Sequence, residues 1–93
     1  LTHNYMKQLT QYTKNGREWH VCRREVNIAI FTNDHRFYEV IVIQSHNGRV
    51  IAGNQIAPAE YAPSNEEWGS KGWSFSSLAD ATAKYNELKQ IDP

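Results

Sequence analysis

The chain has 93 residues, and ten lysines and arginines balance ten aspartates and glutamates, so the formal net charge at pH 7 is zero. That length suits one small domain, and the balance excludes both the basic excess of a dedicated polyanion binder and the acidic run of a solvating tail. Cys22 is the sole cysteine, which excludes an intrachain disulfide and predicts a reducing, cytoplasmic setting, and the longest aliphatic run, Val40 to Ile43, is too short for a membrane-spanning helix.

The opening stretch LTHNYMKQ is polar and lacks the apolar segment of a secretory signal; residues 1–6 read as a flexible extension of a single domain spanning 1–93. Residues 8–13 predict a polar edge strand. Lys14-Asn15-Gly16-Arg17 follows, and Asn-Gly supplies the two positive-φ positions of a type I′ hairpin turn. Residues 18–32 are too many for one regular strand, so a bulge or break is expected at the polar run 23–25. Within them, residues 26–31 alternate. A turn at Asn33-Asp34 leads into residues 37–44, the strongest and most central strand. His46-Asn47-Gly48-Arg49 repeats the chemistry of 14–17 and predicts a second tight hairpin, with 50–57 as its return strand.

Two-residue turns fix register, and register fixes faces. With Asn33-Asp34 as the loop, Ile30 faces Phe37 and Ile28 faces Glu39. With Asn47-Gly48 as the loop, Ile43 faces Ala52 and Ser45 faces Val50. One face then carries Val26, Ile28, Ile30, Phe37, Ile41, Ile43, Val50, Ala52 and Ile56 and reads as core. The other carries Ala29, Phe31, Tyr38, Val40, Val42 and Ile51. A helix begins near Ser77, where Ser77 and Asp80 have capping-box spacing, and Leu78, Ala81, Thr82, Tyr85 and Leu88 form its apolar stripe. The fold class is therefore α+β: an antiparallel meander of four to five strands, open or curled like a barrel, with one C-terminal helix on one face.

One helix covers one face, so the other needs a second copy, the long loop 58–76, or closure of the sheet. Uncovered apolar patches mark interaction sites, and two-fold dimers are the commonest oligomers. The expected function is a non-enzymatic binding or assembly module, homodimeric through Phe31, Tyr38, Val40, Val42 and Ile51. The loop 58–76 holds Tyr61, Trp68, Trp73 and Phe75. It is either a plug for the core or the lip of a pocket for a cationic or planar small molecule, with Tyr61, Glu67, Trp68, Tyr38 and Glu39 as candidate contacts. Glu39 lies in the central strand and needs either a partner such as Arg24 or a place at the rim. Trp73 and Phe75, two apart in an extended segment, are expected to point together under the helix.

Arg23, Arg24, Arg36 and Arg49 are candidate nucleic-acid contacts, the alternative reading. The stretches FYEVIVIQ, WGSKG and FSSLADATAKYNEL occur in an order that faintly resembles the WGR domain, a nucleic-acid-associated module of DNA-repair enzymes. The resemblance spans roughly half the chain and is not adopted as an assignment. Ser70 stands where that family has its arginine, which removes the group best suited to a phosphate. His20 and Cys22 share a strand face, but no second Cys/His pair stands at ligand spacing, so no metal, cofactor or membrane partner is expected.

Overall fold

The computed structural model describes residues 6–91. Of the expected N-terminal extension, only Met6 lies within them. Five strands form one antiparallel sheet in the order β1(Gln11–Lys14), β2(Arg17–Glu25), β3(Ile28–Asn33), β4(Phe37–Val42) and β9(Gly72–Phe75). The first four make an antiparallel meander, in which residues 18–32 are two strands joined by a turn at Val26-Asn27 and the return strand expected at 50–57 takes no part; β9 returns to the far side of β4. Helix α1(Leu78–Ile91) packs on β3, β4 and β9. The fold is thus α+β, with a curled antiparallel sheet and one C-terminal helix.

The first Asn-Gly turn forms as its chemistry dictates, with Asn15 at φ 54° and Gly16 at φ 75°. The bulge falls between Val21 and Arg23, just ahead of the polar run. The β3–β4 turn differs from the two-residue expectation. Asp34 and His35 both take positive φ, and the Arg36 N–H donates to the Asn33 carbonyl at 3.1 Å. Three residues therefore separate the paired Asn33 and Phe37, and Ile30 sits opposite Val40 instead of Phe37. The shift is odd-numbered, so it turns β4 over relative to β3. Ile28 and Ile30 share the helix face with Tyr38 and Val40, while Ala29 and Phe31 share the other face with Ile41 and Ile43.

On the helix side, Ile30, Tyr38, Val40, Ala81 and Tyr85 form a closed apolar cluster. Trp73 and Phe75 both lie on this side. They pair across β4 with Val40 and Tyr38, and the Lys84 ammonium stands 4.3 Å from the Trp73 ring centre. The Ser77 hydroxyl caps the helix by accepting from the Asp80 N–H at 3.1 Å. Leu78, expected in the buried stripe, stays exposed; the packed stripe starts a turn later at Ala81.

The opposite face is covered from within the chain. After β4 the backbone leaves the sheet, and β5(Gln44–His46) pairs with β8(Ala59–Tyr61). Lys7 is bonded to both Pro58 and Glu60. Leu9, Tyr12, Ala62 and Trp68 thereby settle on Trp19, Phe31, Ile41 and Ile43. The long loop is the cover, so the uncovered face on which the expected dimer rested does not exist: Phe31 and Val40 are fully buried, on opposite sides of the sheet.

The second Asn-Gly stretch makes no hairpin turn. Gly48 alone takes positive φ, and the turn moves to Ala52 and Gly53, between β6(Arg49–Ile51) and β7(Asn54–Ile56). Ser45 consequently pairs with Glu60, not Val50. Hairpin β6–β7 projects as an arm with Val50, Ile51 and Ile56 exposed by 68%, 52% and 38%.

Candidate functional site

Glu39 sits in the middle of β4, facing away from the helix, and is 2% exposed. A carboxylate withdrawn from water this far is costly unless its oxygens find donors. The donors come from β1, three strands away in the sheet order. Across a flat sheet that gap is about 14 Å, three interstrand spacings. The curl closes it, aided by long side chains. The Tyr12 hydroxyl donates to Glu39 Oε1 at 2.6 Å, and Lys14 Nζ meets Oε2 at 2.6 Å. Ser74, opposite Glu39 on β9, adds a longer contact from its hydroxyl to Oε2 at 3.4 Å.

Tyr12 stacks with Trp19 and tilts onto Phe31. Burial, reinforced by the hydrogen bond to Glu39, pushes its hydroxyl well above the usual tyrosine range. The proton therefore stays on Tyr12, and the carboxylate accepts it as a hydrogen bond.

Trp68 completes the cluster from the loop. Lys14 Nζ stands 3.6 Å from the Trp68 ring centre, and Trp68 Nε1 donates to Ser74 Oγ at 2.9 Å. The indole lies flush on β9 because residue 72 is glycine: a Cβ there would stand 2.5 Å from Trp68 Cζ3. The Lys14 ammonium is thus held between a buried carboxylate and an indole face. Its side chain keeps 21% of its surface in solvent.

Two carboxylates fix the cover in place. Glu67 accepts from the Ser64 N–H at 2.9 Å and from the Gln44 side chain at 2.9 Å, and it faces Lys71. These donors, the Ser64 N–H foremost, hold its carboxyl down to about 2. Glu60 takes a two-pronged contact from Arg24 at 2.7 and 2.6 Å and the Leu9 N–H at 2.8 Å. The Arg24 bonds lower the Glu60 pKa, and Glu60 raises that of Arg24. Arg24 is therefore the partner of Glu60, and Lys14 takes the place beside Glu39.

Of the expected pocket residues, Glu39 and Trp68 meet through Lys14 and Ser74. Glu67 braces the loop. Tyr61 lies on β8 beside His46, and Tyr38 faces the helix, its hydroxyl donating to the His35 carbonyl at 3.0 Å. Among the expected interface residues, Tyr38 is buried, Val42 half-buried, and Ile51 exposed in the arm. The four arginines do not gather: Arg23 lies over Tyr85 on the helix side, Arg24 is bonded to Glu60, Arg36 is in the β3–β4 turn and Arg49 is in the arm.

Tyr12, Lys14 and Ser74 were not among the expected site residues. The available signal was the alternation of Tyr12 and Lys14 in a strand otherwise polar, together with a central-strand carboxylate that required a cation. Lys14 also lines two clefts. One, of about 420 Å³, is lined by Tyr12, Pro63 and Trp68; the other, of about 400 Å³, by Trp19, Phe37, Glu39 and Ser74. Among the described residues no group of three His, Cys, Asp or Glu side chains could hold a metal, and no helix is long and apolar enough to cross a membrane. Comparison with protein-family models, curated proteins and solved structures finds no match.

Proposed function

We propose that the chain is a non-enzymatic assembly module that pairs with a second copy of itself through hairpin β6–β7. The observation that carries this reading is the exposure of Val50, Ile51 and Ile56 on a two-stranded arm. A lone hairpin of this size is marginally stable in water, and its unpaired edges are ready to add strands. The Val50 side lies on one face of the arm, and Ile51 and Ile56 on the other, so neither face is wholly polar. Arg49 is the sole charged residue in 47–57. Two arms related by a two-fold axis can therefore meet with little repulsion, each covering the same patch on the other.

Sedimentation equilibrium tests this. The expected result is a dimer at micromolar concentration that dissociates to the 10.8 kDa chain when Val50 and Ile51 are both changed to Glu, with an unchanged far-UV spectrum. A monomer at all concentrations, or a dimer indifferent to both substitutions, defeats the reading.

A further inference from the structure

The cluster around Glu39 has more in it than a structural ion pair needs. A buried carboxylate can be neutralised by any cation, yet here the ammonium also stands 3.6 Å from the centre of the Trp68 ring, and that ring is oriented by its own bond to Ser74 Oγ. Carboxylate on one side and indole face on the other is the chemistry that recognises alkylammonium groups. The walls are prearranged. Glu39 Oε1 is held by Tyr12, Trp68 lies flush against Gly72, and Glu67 and Glu60 pin the loop that carries the indole. Lys14 is the member that reaches the site from the solvent side, with 21% of its side-chain surface exposed. It ends the short edge strand β1, directly before the Asn15-Gly16 turn.

There is also room beside it. The clefts of about 420 and 400 Å³ both have Lys14 and Asn15 in their walls, so open volume adjoins the lysine. Trp19, which lines the second cleft, is buried with its Nε1–H unpartnered among the described residues. A buried indole donor without an acceptor is unusual in a site that serves packing alone.

We propose that Glu39, Ser74 and Trp68, with Tyr12 behind the carboxylate, form a binding site for a primary alkylammonium group, and that Lys14 occupies it as a tethered stand-in which an external ligand displaces. The displaced lysine swings toward solvent on its four-carbon stem, and an adjoining cleft takes the alkyl chain. A tethered competitor acts at an effective concentration in the millimolar range, which makes the intact site weak for simple amines and opens it to ligands with contacts along the clefts.

The test uses n-propylammonium at constant ionic strength, because it replaces the atoms that Lys14→Ala removes. In Lys14→Ala, the amine is expected to raise the thermal midpoint and change tryptophan fluorescence at millimolar concentration. The neutral n-propanol has no such effect, and Lys14→Ala combined with Glu39→Gln does not respond. The unaltered protein requires roughly tenfold more amine. Should Lys14→Ala not fold alone, amine-dependent folding is the same readout. In the unaltered protein, the Trp68 indole N–H resonance is followed with putrescine and with a blocked lysine amide. A shift with the first points to a free diamine, and with the second to a lysine side chain of a peptide. Equal responses of the single and double variants, or no Trp68 shift with either probe up to about 100 mM, far above the tether's effective concentration, overturn the proposal.

Discussion

The tripeptide Asn-Gly-Arg occurs twice, at 15–17 and 47–49, and the two copies end up in opposite circumstances. In the first, both Asn15 and Gly16 take positive φ and close a hairpin whose strands deliver Tyr12, Lys14 and Trp19 to the buried face. In the second, only Gly48 does so, and the turn forms five residues later at Ala52-Gly53. Asn-Gly permits a I′ turn; the flanking strands decide whether one forms. Tyr12 and Trp19 gain burial by being paired across β1 and β2. The segment 44–46 has a better alternative in β8, where Ser45 pairs with Glu60 and Glu60 is itself anchored by Arg24. With its incoming strand taken, the second Asn-Gly is reduced to a corner, and the residues beyond it fold back on themselves as the arm.

The largest expected effect tests that contrast directly. Trp19 is buried in the first hairpin's cluster, so Trp19→Ala should cost about 3–5 kcal/mol in denaturant unfolding. Ile51 lies half exposed in the second hairpin, so Ile51→Ala should stay within about 0.5 kcal/mol of the parent at concentrations where the chain is monomeric. Comparable losses from both would mean that the arm is packed as tightly as the sheet, and the contrast would collapse.

How much of this was legible follows from what each residue needs nearby. The helix was readable because the Ser77 cap and the stripe of Ala81, Tyr85 and Leu88 are local in sequence. The strands at 11–14 and 37–42 were readable from alternation and punctuation; the turn at Val26-Asn27 was not, because it carries neither glycine nor proline and Val26 reads as strand. The faces were not, because they hang on a single residue: Arg36, the extra member of the β3–β4 turn, moved Phe31 away from Tyr38 and Val40. In the candidate site, Glu39 and Trp68 stood out as a carboxylate in an apolar strand and an indole just ahead of Gly69 and Gly72. Lys14 and Tyr12 did not, since their place beside Glu39 is made by sheet curl across three strands. The Ser64-to-Glu67 capping spacing was in plain view and braces the loop.

A smaller effect separates the glycines of the two regions. Gly72 needs to be glycine because of its neighbour: an added Cβ meets the rigid Trp68 ring at 2.5 Å. Gly72→Ala should therefore cost about 1–3 kcal/mol, the range for overpacking, and should shift Trp68 fluorescence as the indole is pushed off β9. Gly53, in the arm, has nothing within 4 Å and matters only through its φ of 81°. Gly53→Ala should cost about 1–2 kcal/mol, the price of a left-handed alanine, and leave the Trp68 emission unmoved. A Trp68 response to the Gly53 change would show that arm and site are mechanically joined.

The smallest effect is electrostatic, and it too divides the regions. Glu67 is held at about 2 against an ordinary value of 4.5, chiefly by the Ser64 N–H and then by the Gln44 side chain. A carboxyl depressed on folding contributes stability that is fully present above the ordinary value and is lost as pH falls through the folded one. Between pH 4.5 and 2 the protein should thus progressively lose the contribution of Glu67, which is modest because the group lies at the surface. Followed by NMR, the Glu67 side chain should titrate with a midpoint near 2, and the amides of Ser64 and Trp68 should move with it. The arm carries no acid in 47–57, so the amides of Arg49 and Ile56 should stay still over that window. Glu67→Gln should remove the loop's pH dependence while leaving the amide oxygen able to accept from Ser64. A Glu67 midpoint near the ordinary value would mean that the Ser64 and Gln44 bonds do not hold the loop in solution. The indole of Trp68 would then lose one of the braces that aim it at Lys14.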